Sequence, residues 1–174
     1  HAEIRFENSE CIQLAARHGK LNILKYLLTS PDLNLHPDVH AKNTNVFRVA
    51  CEYGQLDIVK YFLFDPTIKS KFKLEKYSYE AIVRGIYYNN LTLVDYILNE
   101  PEITKHSFDY NKGRILEAAC ECGRLDILKY LVNLPTFNKN LDFHFDNDTC
   151  FKGAYHYSNL DVVEFLVFDM QLAK

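Results

Sequence analysis

The sequence predicts an all-α array of stacked helix-turn-helix repeats, and three observations carry that prediction. The first is a recurring phrase: GRLDILKYL at 123–131 matches GKLNILKYL at 19–27 and GQLDIVKYF at 54–62, with weaker copies NNLTLVDYI at 89–97 and SNLDVVEFL at 158–166. The anchoring residues Leu21, Leu56, Leu91, Leu125 and Leu160 step by 35, 35, 34 and 35, a period that marks a repeat architecture. The second is a size limit. Four residues before each Gly19-type position stand only Ala15, Ala50, Gly85, Ala119 and Ala154, which predicts a close helix crossing there. The third is apolar spacing. The positions of Leu125, Ile127, Leu128, Leu131 and Val132 stay apolar in all five copies, as a buried helical stripe requires.

Taken in order, the chain opens on a partial unit. Residues 1–13 align with 36–48 at an offset of 35, so residues 1–7 are expected to be the tail of a preceding repeat and the chain a piece of a longer protein. The repeats then run 8–42, 43–77, 78–111, 112–146 and 147–174, a single array over 1–174. The first helix of each is expected to be short, 10–18 in the first repeat. Three residues before the turn, Ala16, Cys51, Ile86, Cys120 and Tyr155 fill an inner slot. The turn itself holds Gly19, Gly54, Asn89, Gly123 and Ser158; glycine, then asparagine, takes the left-handed conformation at least cost. Ser158 fits worst, so the last turn is expected to be the least regular.

The second helix opens near Asn22, Asp57, Thr92, Asp126 and Asp161, residues suited to capping or to the positive end of the helix dipole. Tyr26, Tyr61, Tyr96, Tyr130 and Phe165 are expected to widen its buried stripe. Pro31, Pro66, Pro101 and Pro135 end it. The connections 32–45, 67–80, 102–114 and 136–149 are polar and long enough to project as loops between helix pairs. One such repeat buries too little apolar surface to fold alone, so the faces between repeats must stabilise it.

The bulk properties exclude some partners. Net charge is −3, with no basic patch, so a nucleic-acid partner is not expected. No apolar run is long enough for membrane insertion. The cysteine count is five, an odd number, and Cys51 and Cys120 share one repeat position while Cys11 and Cys150 share another. Shared positions read as small core residues, so free thiols in an intracellular, reducing compartment are expected.

The stretch LAARHGKLNILKYLL at 14–28 resembles the core pattern of ankyrin repeats, as do 49–63 and 118–132. The departures lie at the start of each first helix, where the family's Thr-Pro-Leu-His is replaced by ECIQ at 10–13 and by other unrelated tetrapeptides. The resemblance implies an ankyrin-repeat solenoid of about five units. The Ser-Pro-Asp loop with its 35-residue step resembles arrays from intracellular bacteria, amoebae and their large viruses. In the bacteria such arrays often belong to secreted effectors, and membership of that group would place the chain in host cytosol.

The resemblance also implies a binding module, since ankyrin partners dock on the concave face made by loop tips and first helices. The positions expected there are the two residues before each turn: Arg17 and His18, Glu52 and Tyr53, Tyr87 and Tyr88, Glu121 and Cys122, His156 and Tyr157. Residues before each first helix join them: Phe6, Lys42, Thr44, Tyr77, Tyr79, Tyr110, Phe145 and Asp148. Of the 12 tyrosines, all seven outside the core stripe and inner slot fall on these positions. Tyrosine gives large contact area at low entropy cost. The mixed charge around it favours a protein or peptide partner, with the array acting as a monomeric scaffold or adaptor. Two rival roles stay open: the substrate-positioning or regulatory arm of an enzyme whose catalytic domain lies elsewhere, and a plain structural spacer.

Chemistry is weakly signalled. Cys120 and Cys122 diverge on a helix and have no second ligand pair, and Asp142, His144, Asp146 and Asp148 lack the glycine and distal glutamate of a calcium loop. No metal, cofactor or catalytic residue is expected. Arg84 stands where other repeats have Leu14, Val49, Ala118 and Gly153; either its stem snorkels outward, or it pairs with Glu80 or with a partner's carboxylate.

Overall fold

The computed structural model describes residues 2–29, 39–69, 74–104, 112–138 and 145–169. Every regular element in them is helical. The first repeat supplies α1 (Ala2–Arg17) and α2 (Leu21–Thr29). The second supplies α3 (Val39–Glu52), α4 (Leu56–Phe64) and the one-turn α5 (Pro66–Lys69). The third repeats that order with α6 (Leu74–Tyr87), α7 (Leu91–Asn99) and α8 (Pro101–Thr104), and the fourth with α9 (Lys112–Glu121), α10 (Leu125–Asn133) and α11 (Pro135–Asn138). The last gives α12 (Phe145–His156) and α13 (Leu160–Glu164), which widens into a π turn over Phe165–Asp169. None of these helices is long and apolar enough to cross a membrane.

Packing divides the chain into two compact units, His1–Arg84 and Gly85–Lys174. In the first unit α1 packs on α2 and α3, and α3 on α4. Its centre is Phe47, fully buried, with Phe62 edge-on at 6.0 Å and Tyr77 at 5.5 Å. In the second unit α9 packs on α10 and α12, and α12 on α13, around Ile115, Leu116, Ile127, Leu128 and Leu131.

The small-residue slot does what its composition predicts. At Gly85 a Cβ would lie 2.8 Å from Val94 Cγ2, on the second helix of the same repeat, so that helix sets the limit. All five turns take one form. The residue after the turn donates its N–H to the carbonyl five back, at 2.8 Å for Lys20 to Ala15 and 2.9 Å for Asn159 to Ala154, and the turn residue donates to the carbonyl three back. This pair of bonds closes a helix with a left-handed residue. Asn89 and Ser158 adopt it at φ 59°, beside Gly19, Gly54 and Gly123 at 61° to 65°. The last turn is therefore as regular as the others, against expectation. The hydrogen bonds fix the conformation, and serine's left-handed strain is small enough for them to hold it.

Two expectations about element lengths fail for one reason. The first helices are longer than predicted, 16 residues for α1 and 14 for α3 and α6. The described parts of the long connections are helical as well. No proline stands where the ankyrin pattern would place one, so α3 and α6 extend back into the supposed loops. On the other side, Pro66, Pro101 and Pro135 begin new one-turn helices instead of starting loops. Proline suits a first helical position because its φ is already set and no donor is lost. Each short helix buries one side chain: Ile68, Ile103 or Phe137.

The aromatic stripe divides. Tyr61 is buried, Tyr96 and Tyr130 are half-buried, and Tyr26 is 61 % exposed. The ring lies against the preceding repeat's second helix: Lys25 sits 4.8 Å over Tyr61, and Tyr130 donates to Asp95 at 2.6 Å. Tyr155 departs from its slot too. Ala16, Cys51, Ile86 and Cys120 are fully buried there, whereas Tyr155 is 74 % exposed. Cys11, expected in the core like Cys150, is exposed.

Candidate interaction surface

Each first helix ends in carbonyls that no intrahelical donor can reach. At the ends of α1, α6 and α9 the side chain just after the following repeat's turn donates to them. Gln55 Nε2 donates to the Arg17 carbonyl at 2.9 Å. Arg124 Nε and Nη2 donate to the Ile86 and Tyr87 carbonyls at 3.2 and 2.7 Å. Asn159 Nδ2 donates to the carbonyls of Cys120 and Glu121, both at 2.8 Å. Gln55, Arg124 and Asn159 occupy the N-cap position of α4, α10 and α13, yet make no side-chain capping bond to their own helix. Each caps its neighbour instead. The sequence reading missed this, although Lys20, Gln55, Asn90, Arg124 and Asn159 are all donors. It also set the helix start one residue late: Asp57, Asp126 and Asp161 are the second helical residues, where they still favour the dipole.

These bonds hold the ends of α1, α6 and α9, and with them the residues before those three turns. Arg17, His18, Tyr53, Tyr87, Tyr88, His156 and Tyr157 are exposed, and Glu52, Glu121, Cys122 and Tyr79 are half-buried. Tyr77 is a correction: its ring packs edge-on against Phe47 and is 9 % exposed, so it belongs to the core. The helical start of α6 at Leu74 turns Tyr77 inward, where a loop position would have left it on the groove. Tyr110 lies outside the described residues. Lys42, Phe6, Thr44 and Phe145 lie on described helices, but their side chains are outside that set. Asp148 is half-buried at φ 64°.

Two clefts gather the predicted residues, one in each unit. Between α1 and α3, Gln13, Leu14, Arg17, Val49, Glu52 and Tyr53 enclose about 350 Å³. The Arg17 guanidinium stands 4.7 Å over the Tyr53 ring, a cation–π contact. Between α9 and α12, Glu117, Glu121, Gly153, Tyr155, His156 and Tyr157 line about 430 Å³. There His156 and Tyr157 meet edge-on at 5.0 Å. No family model, curated protein or solved structure matches the chain.

The clefts differ in charge. Arg84 pairs with Glu52 at 3.1 Å, and Glu80, the partner expected four residues away, pairs with Arg48. The four alternate in sign across α3 and α6, so each carboxylate meets a guanidinium of the neighbouring helix. Glu121 is held above the usual carboxylate range, first by burial and then by Glu117. Three of the thiols are poorly placed for nucleophilic work. Burial pushes Cys51 far up, and a hydrogen bond to Cys150 together with burial does the same to Cys120. Cys122 is raised by burial as well. Among the described residues no group of three His, Cys, Asp or Glu side chains could hold a metal ion.

Proposed function

We propose that this chain is an ankyrin-type repeat array that binds a partner protein or peptide through the residues before each turn. The observation that carries the reading is the exposure of Arg17, His18, Tyr53, Tyr87, Tyr88, His156 and Tyr157 at or just after the C-terminal ends of first helices. Large exposed rings offer contact area at low side-chain entropy cost, because tyrosine has only about two rotatable side-chain bonds to fix on binding. Two clefts of peptide side-chain size lie among them.

Affinity capture from cytosol tests the proposal, using the wild-type chain, a variant with Tyr53, Tyr87, Tyr88 and Tyr157 all changed to alanine, and a Tyr26→Ala control. Tyr26 is equally exposed but stands on a second helix. A polypeptide retained by wild type and control and lost from the fourfold variant supports the reading. Retention by all three, with circular dichroism showing all folded, contradicts it.

A further inference from the structure

The same four repeat positions are filled differently in the two units. In the first they hold Arg48, Glu52, Glu80 and Arg84, two guanidiniums matched to two carboxylates. In the second they hold Glu117, Glu121, Thr149 and Gly153. Both guanidiniums are gone from the set, and both residues contributed by α9 are carboxylates. Arg114, one turn earlier, serves Glu117 at 2.8 Å. No described side chain pairs with the Glu121 carboxylate. Arg114 and His156 act on it at longer range without overcoming burial and Glu117.

Gly153 is what opens this place. It occupies the position of Arg84, and a Cβ there would come within 2.8 Å of Glu121 Cγ. The cleft of about 430 Å³ begins above that missing side chain. Tyr155 and Tyr157, 74 % and 59 % exposed, supply aromatic walls. A half-buried carboxylate beside open rings favours a cation that is planar and weakly hydrated, able to bond the carboxylate and stack on tyrosine together. Both contacts have precedents in the first unit: Arg84 on Glu52, and Arg17 over Tyr53.

We propose that the cleft over Glu121 receives an arginine side chain from a partner peptide, seated where Arg84 sits over Glu52. This rests on the reading of the residues before each turn as an interaction surface, and names the chemistry that one part of it takes. The peptide's guanidinium completes an ion pair that the repeat makes internally elsewhere.

The test is a titration followed by backbone nuclear magnetic resonance, with N-acetyl-arginine amide as the probe and N-acetyl-citrulline amide as its neutral isostere. The arginine probe is expected to shift Glu121, Gly153 and Tyr157 saturably at millimolar concentration, and the citrulline probe to leave them in place. Glu121→Gln should weaken the arginine probe by at least about tenfold, the usual scale for losing one partner of a desolvated charge pair. Gly153→Arg should fill the site from within, abolish probe binding and lower the Glu121 pKa; if that variant does not fold, Glu121→Gln alone decides. Equal shifts from both probes, or unchanged affinity in Glu121→Gln, would overturn the proposal. Its failure is separable from failure of the binding-module reading: a captured partner that needs the exposed tyrosines but tolerates Glu121→Gln sinks only the arginine site.

Discussion

The Arg124 guanidinium donates to the Tyr87 carbonyl at 2.7 Å, from one repeat to the end of the first helix of the repeat before it. A second bond to Ile86 at 3.2 Å comes from the same side chain. A cation at a helix C-terminus is favoured by the dipole as well as by the bonds. Arg124→Ala should therefore destabilise the fold by about 1.5–3 kcal/mol, the range for hydrogen bonds to charged groups. Gln55→Ala, with one neutral bond to Arg17, should cost only about 1 kcal/mol. Urea unfolding of the two variants checks the order.

The turns give a prediction of opposite signs at equivalent positions. Gly123 has φ 61°, and a Cβ there would come within 2.8 Å of the Asn159 side-chain amide carbon. Gly123→Ala should cost about 1–2 kcal/mol for the left-handed residue alone, and more as Asn159 is displaced from its two carbonyls. Ser158 already bears that strain at φ 59°. Ser158→Gly should stabilise by roughly 0.5–1 kcal/mol, since relief of strain exceeds the entropy that glycine adds to the unfolded chain. Thermal midpoints shifting in opposite directions are the expected result.

Ser78 is fully buried, and among the described residues its hydroxyl has no hydrogen-bond partner. A buried donor left without a partner costs about 1–3 kcal/mol. Ser78→Ala removes that cost and little volume, so it should raise stability by about 1 kcal/mol in urea unfolding.

Tyr130 gives a pH dependence. Burial, then its bond to Asp95, lifts its pKa from 10.0 to about 12. The folded state thus holds the phenolic proton more tightly than the unfolded state does. The stabilisation is full below about pH 10 and is lost as pH rises through about 12. Tyr130→Phe should be less stable than wild type at neutral pH, and the gap should narrow across that window. Unfolding midpoints at several pH values measure it.

The repeat, the small slot and the turns were legible because each depends on one residue's size or backbone freedom, as at Gly85 and Gly123. What was hidden depends on neighbours. Tyr26 and Tyr61 are the same letter in the same phrase, but Lys25 lies over one ring and no described residue over the other. Arg84 reaches back thirty-two residues to Glu52, as Glu80 does to Arg48, a pairing that spacing along one helix does not reveal. Tyr77 turned inward once α6 began earlier than the pattern suggested. The bonds made by Gln55, Arg124 and Asn159 left one trace, a donor after every turn, whose purpose appears only when the preceding helix end is in place.

Photo-crosslinking tests the central claim most directly. A benzophenone amino acid is placed singly at Tyr53 or Tyr157, among the proposed contact residues, and at Tyr26 or Phe168, positions at least as exposed on other helices. The account predicts one shared crosslinked polypeptide from Tyr53 and Tyr157 and none from the other two. The same adduct from Tyr26 and Phe168, with none from Tyr53 or Tyr157, would contradict it.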